Sequence, residues 1–392
     1  MPTYIKTGFW EKKPRGYKEE LDLNLLIAQN APSVIGVNGT SLYSTNPLAG
    51  PTNGASVIAL GQQAGENTLS AFYSNFLGTQ AGQNATNAYN SNFIGSGAGI
   101  NAINANNSNF IGEIAGLSAT NAAQSNFIGN QAGYNATNAA QSNFFGRESG
   151  LSATNATYSN FLGQWSGYQA TNAYYSNFLG YYSGYTASNA NYSNFLGYAS
   201  GYNATNANNS NFLGAAAGQG ATSAYESNFL GNASGQNATN ARNSNFFGSN
   251  TGAYASNAYN ANFLGPNSGL SATNAYYSNF IGKESGQNAT NAYYSNFLGH
   301  RAGYGATTAN NSNFLGQQAG MNSTGNNVNA FGFQAHYGGT ISGQTVFSNA
   351  SLPSYLNRAA ATTAITVPNG AVAGSTYLYY NQTTFAIEAV RL

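Results

Sequence analysis

The tripeptide Ser-Asn-Phe begins at Ser74 and returns every 17 residues as far as Ser312, in fifteen copies without an insertion, with Ala261 the one replacement for its Ser. The copy from Ser176 reads SNFLGYYSGYTASNANY, and the unit generalises to S-N-F-[LIF]-G-x-x-small-G-x-x-A-[TS]-N-A-x-x; the last copy is one residue short. Degenerate copies flank the array at Val57-Ile58-Ala59-Leu60-Gly61 and Val328-Asn329-Ala330-Phe331-Gly332. A strict period restricts the fold to repeat architectures. Helix-pair repeats need about 33 residues and leucine-rich repeats about 20 or more, so both are excluded. Collagen would need Gly at every third position, and a coiled coil would not carry helix-breaking Gly and Asn in every unit.

A parallel β-solenoid fits: short strands joined by tight corners. Gly78, Gly95 and their equivalents, with Gly82, Gly99 and theirs, occur in all fifteen copies. Glycine enters positive φ without steric cost, so the two ranks are read as two corners per coil. The expected class is all-β, a β-roll of about 15–17 coils. Fifteen coils rising about 4.8 Å each give a rod of roughly 70 Å. Identical residues then stack. Asn75, Asn92, Asn109 and their successors form an amide ladder of the cross-β kind. The Asn87 position forms a second, kept in twelve of fifteen copies. Small residues at Ala81, Ala85 and Ala88 permit a thin cross-section.

The strand Asn75-Phe76-Leu77 presents a conflict. Neighbouring side chains on a strand point to opposite faces, yet both the Phe rank (Phe76, Phe93, Phe110, Phe127, Phe144, Phe161 onward) and the next rank (Leu77 to Leu162 and beyond) are apolar in every copy. One rank fills the coil; the other points out. A wet apolar stripe of that length is an aggregation hazard, which implies burial against copies of the same chain, with a parallel trimer favoured and a dimer or tetramer as alternatives. The edge copies carry Ala59 and Ala330 at the Phe position while Leu60 and Phe331 hold the next. On that basis the Leu rank is expected inside and the Phe rank outside. The alternative is a bend that puts both inside one coil.

Only 5% of residues are charged, against about 25% in ordinary domains, while Tyr and Phe together number 52. Such a chain must fold, and its surface must be wetted by Asn, Ser, Thr, Gln and Tyr. The net charge of +1 gives no electrostatic footprint for nucleic acid. With no cysteine, disulfide frameworks and thiolate metal sites are excluded. The start, MPTYIKTGFWEKKPRG, shows no signal peptide, and no 18-residue apolar run predicts a membrane span. If the protein works outside a cell, it is expected to leave by lysis or a non-standard route.

No catalytic, cofactor or metal constellation is read. His300 and His336 are expected as ordinary surface residues. Asp22 is the sole aspartate, which excludes calcium-binding Asp ladders. Glu148 beside Arg147, and Glu284 beside Lys283, read as solubilised corners. Gly163-Gln164-Trp165-Ser166-Gly167 lacks the spacing of a nucleophile elbow. Triplets such as Asn84-Ala85-Thr86 match glycosylation acceptors, as chance allows in a chain this rich in Asn and Thr. The two residues after the first Gly and the two before each Ser change from coil to coil, among them Trp165, Tyr181, Tyr182, Arg301, Tyr174, Tyr175, Tyr293 and Tyr294. These suit weak multivalent contact with cell-surface glycan; the plainer reading is wetted corners free to drift. The single Thr rank (Thr86, Thr120, Thr137, Thr154) raises an ice-binding reading, but its neighbours are Asn and Ala rather than a second Thr rank.

Three regions are drawn. Residues 1–56 form an adaptor or cap, holding Lys6, Glu11, Lys12, Lys13, Arg15, Lys18, Glu19, Glu20 and Asp22 before a loop-rich lead-in. Residues 57–338 form the shaft. Residues 339–392 form a tip or oligomerisation module, with a helix over Pro353–Ala361 capped by Ser351 and a hairpin of Thr376–Tyr380 with Phe385–Val390.

Ser56-Val57-Ile58-Ala59-Leu60-Gly61 and Val328-Asn329-Ala330-Phe331-Gly332 resemble the head repeat of trimeric autotransporter adhesins, which implies a trimerising β-roll; their period is shorter and they lack this Phe. Tyr4-Ile5-Lys6-Thr7-Gly8-Phe9-Trp10-Glu11-Lys12 with Glu20-Leu21-Asp22-Leu23 looks like the start of bacteriophage tail-fibre and virion appendage proteins. Leu352 to Ala361 and Val367-Pro368-Asn369-Gly370 are similar to short C-terminal modules of such fibres. That resemblance implies a virion or extracellular location, attachment to other virion proteins through the N-terminus, and a host receptor met by the distal end. The rival expectation is a self-assembling extracellular filament or a bacterial surface adhesin.

Overall fold

The structure, a computed structural model, describes residues 35–38, 41–44, 56–349, 352–356, 376–381 and 386–391. The charged N-terminal cluster, Ser351, Asn357–Ala361 and Val367–Gly370 lie outside these. No helix occurs among the described residues.

The body is a parallel β-solenoid of about 17 coils with a 17-residue period. Its spine is a 21-stranded sheet. The hairpin β1 (Ile35–Asn38) and β2 (Ser41–Ser44) opens it, antiparallel within itself. Strand β2 then pairs in parallel with β3 (Ile58–Leu60). Fifteen three-residue strands follow, β4 (Asn75–Leu77) through β18 (Asn313–Leu315), then β19 (Asn329–Phe331) and β20 (Thr345–Asn349). All pair in parallel and in register: Asn177 beside Asn194, Phe178 beside Phe195, Leu179 beside Leu196. The strand β21 (Leu352–Leu356) folds back antiparallel on β20. The helix expected from Pro353 is therefore corrected over Pro353–Leu356. These residues are held by the sheet edge, and strand pairing overrides the local capping signal. The hairpin near the C-terminus is present as β22 (Thr376–Asn381) with β23 (Ala386–Arg391), antiparallel.

Two corner glycines do not account for the coil. In the coil from Ser176, positive φ occurs at Gly180, Tyr182, Gly184, Thr186, Asn189 and Tyr192. Four non-glycine residues thus sit in the left-handed region, which costs an ordinary side chain about 1–2 kcal/mol. The inter-coil bonding explains why. The amides of Tyr182, Thr186 and Tyr192 reach back to Gln164, Tyr168 and Tyr174 carbonyls, at 3.2, 2.7 and 2.9 Å. Those of Asn177, Gly184 and Ser188 reach forward to Ser193, Ser200 and Ala204, at 2.9, 2.8 and 2.9 Å. Alternating backbone hand turns successive N–H groups up and down the axis. Ladder bonding therefore continues around the coil, far beyond the three-residue strand, and supplies the partners that buried backbone amides require.

The core reverses the expected assignment of the two apolar ranks. Every Phe of the Asn-Phe-x strands is 0% exposed, from Phe76 to Phe314. The Leu/Ile/Phe rank after it faces out, half-exposed, reaching 36–40% at Ile94, Leu230, Phe247, Ile281 and Leu298. The reason is dimensional. Ring centroids fall 4.7–5.0 Å apart, nearly parallel in all but the Phe195–Phe212 pair. That spacing is the strand repeat and suits offset aromatic stacking. A planar ring fills a thin layer that a branched Leu would not. The ring lies against the second corner glycine: a Cβ on Gly184 would land on the Phe178 ring. Ala187 and Ala190 close the other sides, both fully buried.

Buried hydroxyls tie coils together. Ser176 Oγ donates to the Ala190 carbonyl and accepts from the Ser193 amide at 3.1 Å. A second rank, Ser166 and its equivalents, donates to the Phe178 carbonyl of the next coil at 2.6 Å.

Candidate functional site

No catalytic centre was predicted, so the candidate site is the outer surface, built rank by rank. On the sheet face Asn75 and Leu77 point outward together while Phe76 points in. The Asn ladder is continuous: Asn75 Nδ2 donates to Asn92 Oδ1 at 2.7 Å, Asn92 to Asn109 at 2.8 Å, and so on to Asn329. Beside it runs the half-exposed Leu/Ile/Phe ridge. Leu77 and Leu162, expected inside, therefore belong to the surface, and Phe76, Phe93, Phe110, Phe127, Phe144 and Phe161 to the core. The corner glycines Gly78, Gly82, Gly95 and Gly99 all hold positive φ.

The second Asn ladder is also formed, from Asn87 through Asn206, with Asn138 Nδ2 to Asn155 Oδ1 at 2.8 Å and Asn155 to Asn172 at 2.7 Å. It breaks at Ser223 and resumes at Asn240. These Asn residues sit at φ near +50°, a region that Asn tolerates better than most residues. Between this ladder and the residues preceding each Ser lies an open groove of about 490 Å³, lined by Asn121, Asn138, Asn155, Thr157, Asn172, Tyr174, Asn191 and Tyr192. Tyr158, Tyr175 and Tyr192 stack at 4.6 and 5.3 Å, and Tyr174 meets Tyr175 edge-on. Hydrogen bonding to Tyr174 raises the Tyr175 hydroxyl above the usual phenol range.

A separate aromatic cluster forms on the residues after the first and second Gly of each coil. Trp165 stacks on Tyr182 at 4.7 Å, and Tyr168, Tyr185 and Tyr202 form a second column. Trp165 Nε1 donates to Glu148 at 2.8 Å, and Arg147 also bonds Glu148. Glu284 takes Arg301 from the next coil, whose hydrogen bond holds its carboxyl below the usual range. Both carboxylates are mostly covered, so these acids join neighbouring coils as well as wetting a corner.

His336 corrects the surface expectation. It is 8% exposed and occupies the corner otherwise held by glycine. Ala330 stands at the Phe position of that coil, so the imidazole takes space that a ring fills elsewhere. Its Nδ1 faces Ser323 Oγ at 3.0 Å and its Nε2 donates to the Ile341 carbonyl at 3.2 Å. Burial pushes its pKa down. His300 is half-exposed.

The Thr rank is one half-buried column joined by single-residue bridges from Thr171 to Thr307. Among the described residues no group of three or more His, Cys, Asp or Glu could hold a metal ion. No helix there is long and apolar enough to cross a membrane. Sequence reasoning named Tyr174 and Tyr175 but missed Thr157, Asn191 and Tyr192, whose signal is their shared place just before Ser. No family model and no curated protein matches the chain.

Proposed function

We propose that this chain is a structural rod, the shaft of a fibre or spike on a particle surface, assembled from parallel copies of itself. One observation carries the reading: an unbroken outward rank of Leu, Ile and Phe, half-exposed on the sheet face beside an uncharged Asn ladder. The most open rungs leave more than a third of the residue in water, 36–40% at Ile94, Leu230, Phe247, Ile281 and Leu298, and burial is favourable at about 25 cal/mol per Å². Repetition makes the face self-complementary in register, because each copy presents the same columns at the same pitch. A trimer closes three such faces inward. Hairpin β1–β2 and strand β21 occupy the sheet's outermost positions, where they would hinder end-to-end pairing. The likeness of the terminal segments to phage appendage proteins supports a virion location, with the N-terminus on the particle.

Light scattering on the full chain tests this. A trimer gives three times the 40.7 kDa of one chain, and Leu179→Lys with Leu196→Lys reduces it to monomer without loss of the β-sheet spectrum. A wild-type monomer that stays soluble at high concentration sinks the proposal. The rival reading is a filament joined end to end, which requires the terminal strands β1 and β21 to pair with other copies instead of capping the sheet. Electron micrographs distinguish discrete rods of one length from long polymers.

A further inference from the structure

We infer that the groove along coils 121–192 is a binding site for a neutral polysaccharide laid parallel to the rod axis. The argument begins with the Asn ladder. Each side-chain amide has two N–H donors and two acceptor lone pairs, and the ladder consumes one of each per residue. Asn121, Asn138, Asn155 and Asn172 therefore keep one donor and one acceptor apiece for an incoming group. Their orientation is fixed by the bonds above and below, so little entropy is lost on binding. The result is a row of donor–acceptor pairs repeating about every 4.8 Å. Vicinal hydroxyls on a chain of pyranose rings, which advance by a similar step, present the complementary pattern.

The facing wall supplies the second requirement. Tyr174 and Tyr192 line the groove, and Tyr192 is 54% exposed. Aromatic faces pair with the C–H faces of sugar rings, and Tyr offers a rigid amphipathic contact at low entropic cost. Thr157 is held by its hydroxyl on the Asn138 carbonyl at 2.7 Å, which leaves its methyl to the floor. No lining residue is charged, so the groove selects for hydroxyls over phosphate, sulfate or uronate. It is open and spans four Asn rungs, roughly 14 Å, which suits an extended chain better than a single sugar. A second groove, of about 300 Å³ around Asn206, Asn208, Ser223, Tyr225, Asn240 and Arg242, is shorter, lies at the break in the ladder and carries a guanidinium. None of the eight lining residues belongs to the Leu rank, so the site stands whether or not copies assemble.

The repeat itself supplies conservative variants. Asn occupies the position of Tyr174 at Asn191 and that of Tyr192 at Asn209, and Ser223 takes the position of Asn155. Tyr174→Asn with Tyr192→Asn, and separately Asn155→Ser, should leave the fold intact. Affinity electrophoresis of the full chain in gels containing hydroxyethyl cellulose, galactomannan or dextran is the test. The expected result is retardation by at least one polymer, unchanged in high salt, weakened about tenfold by the double Tyr variant and measurably by Asn155→Ser. A Tyr198→Asn control, in the rank after the first Gly and not lining the groove, should behave as wild type. No retardation by any polymer overturns the inference. So does retardation that salt abolishes, that the double variant leaves unchanged, or that the control loses equally. Light scattering on the same samples reports assembly separately.

Discussion

The inner and outer apolar ranks of the three-residue strands differ by one position in sequence and by almost everything in behaviour. Inside, Phe is invariant across fifteen coils; outside, Leu, Ile and Phe exchange freely. A ring inside must match the layer spacing, lie on the next ring and fit against a glycine, so one shape satisfies all three. A side chain outside has only to remain apolar. Invariance marks geometric constraint here, and tolerance marks a surface.

The sharpest way to break that contrast is to truncate each rank in the same strand. Phe178→Ala should cost about 3–5 kcal/mol, as large-to-small core changes do, while Leu179→Ala should cost about 1 kcal/mol in a dissociated chain. Urea denaturation followed by circular dichroism measures both, and equal losses would refute the inside–outside assignment. Next in size, Gly184→Ala should destabilise by several kcal/mol, because its Cβ meets the Phe178 ring in a left-handed backbone. Combined with Phe178→Ala, the penalty should shrink, giving a coupling of about 0.5–3 kcal/mol in a double-mutant cycle. The coil around Ala330 and His336 already embodies this exchange. Smaller still, Ala261→Ser should stabilise by about 0.5–1.5 kcal/mol. It returns a hydroxyl to the Ala275 carbonyl and the Ser278 amide, completing a rank that bonds both in other coils.

The last prediction concerns the edge coil, where Ala330 stands in the core Phe position and the His336 imidazole is buried. A depressed His336 pKa means that the unfolded chain binds the proton more tightly, so stability rises with pH. The contribution is complete above the unfolded value of about 6.5 and is lost as pH falls through the lower folded value. Among the partners it faces, the Ser323 hydroxyl and the Ile341 carbonyl, none is ionised. Hydrogen exchange should show the Thr324 and Gly343 amides opening faster at about pH 5 than at about pH 7.5, and His336→Gly should flatten that difference.

The period, the two glycine ranks and both Asn ladders were legible in the sequence, because repetition fixes which residues stack. The facing of Phe and Leu was not. Alternation gives opposite faces without saying which is inner, and Ala59 and Ala330 point the wrong way when read as signs of an exposed rank. The better sign is that Gly184 and its equivalents never vary alongside Phe, as a ring pressed against a missing Cβ requires. The left-handed residues were only partly legible. Asn189 fits its conformation, but Tyr182 and Tyr192 adopt it because the stack aligns their amides. The groove escaped notice because it draws on several coils, and no single copy contains it.

Every coil bonds only to the one before and the one after, through the same amides and hydroxyls at each step. Insertion or loss of a whole unit therefore creates no interface that is not already present. Such a gene can be lengthened by duplication and shortened by recombination, each event shifting the distance between its two ends by a fixed increment of about 4.8 Å. The molecule is a ruler whose graduations are inherited.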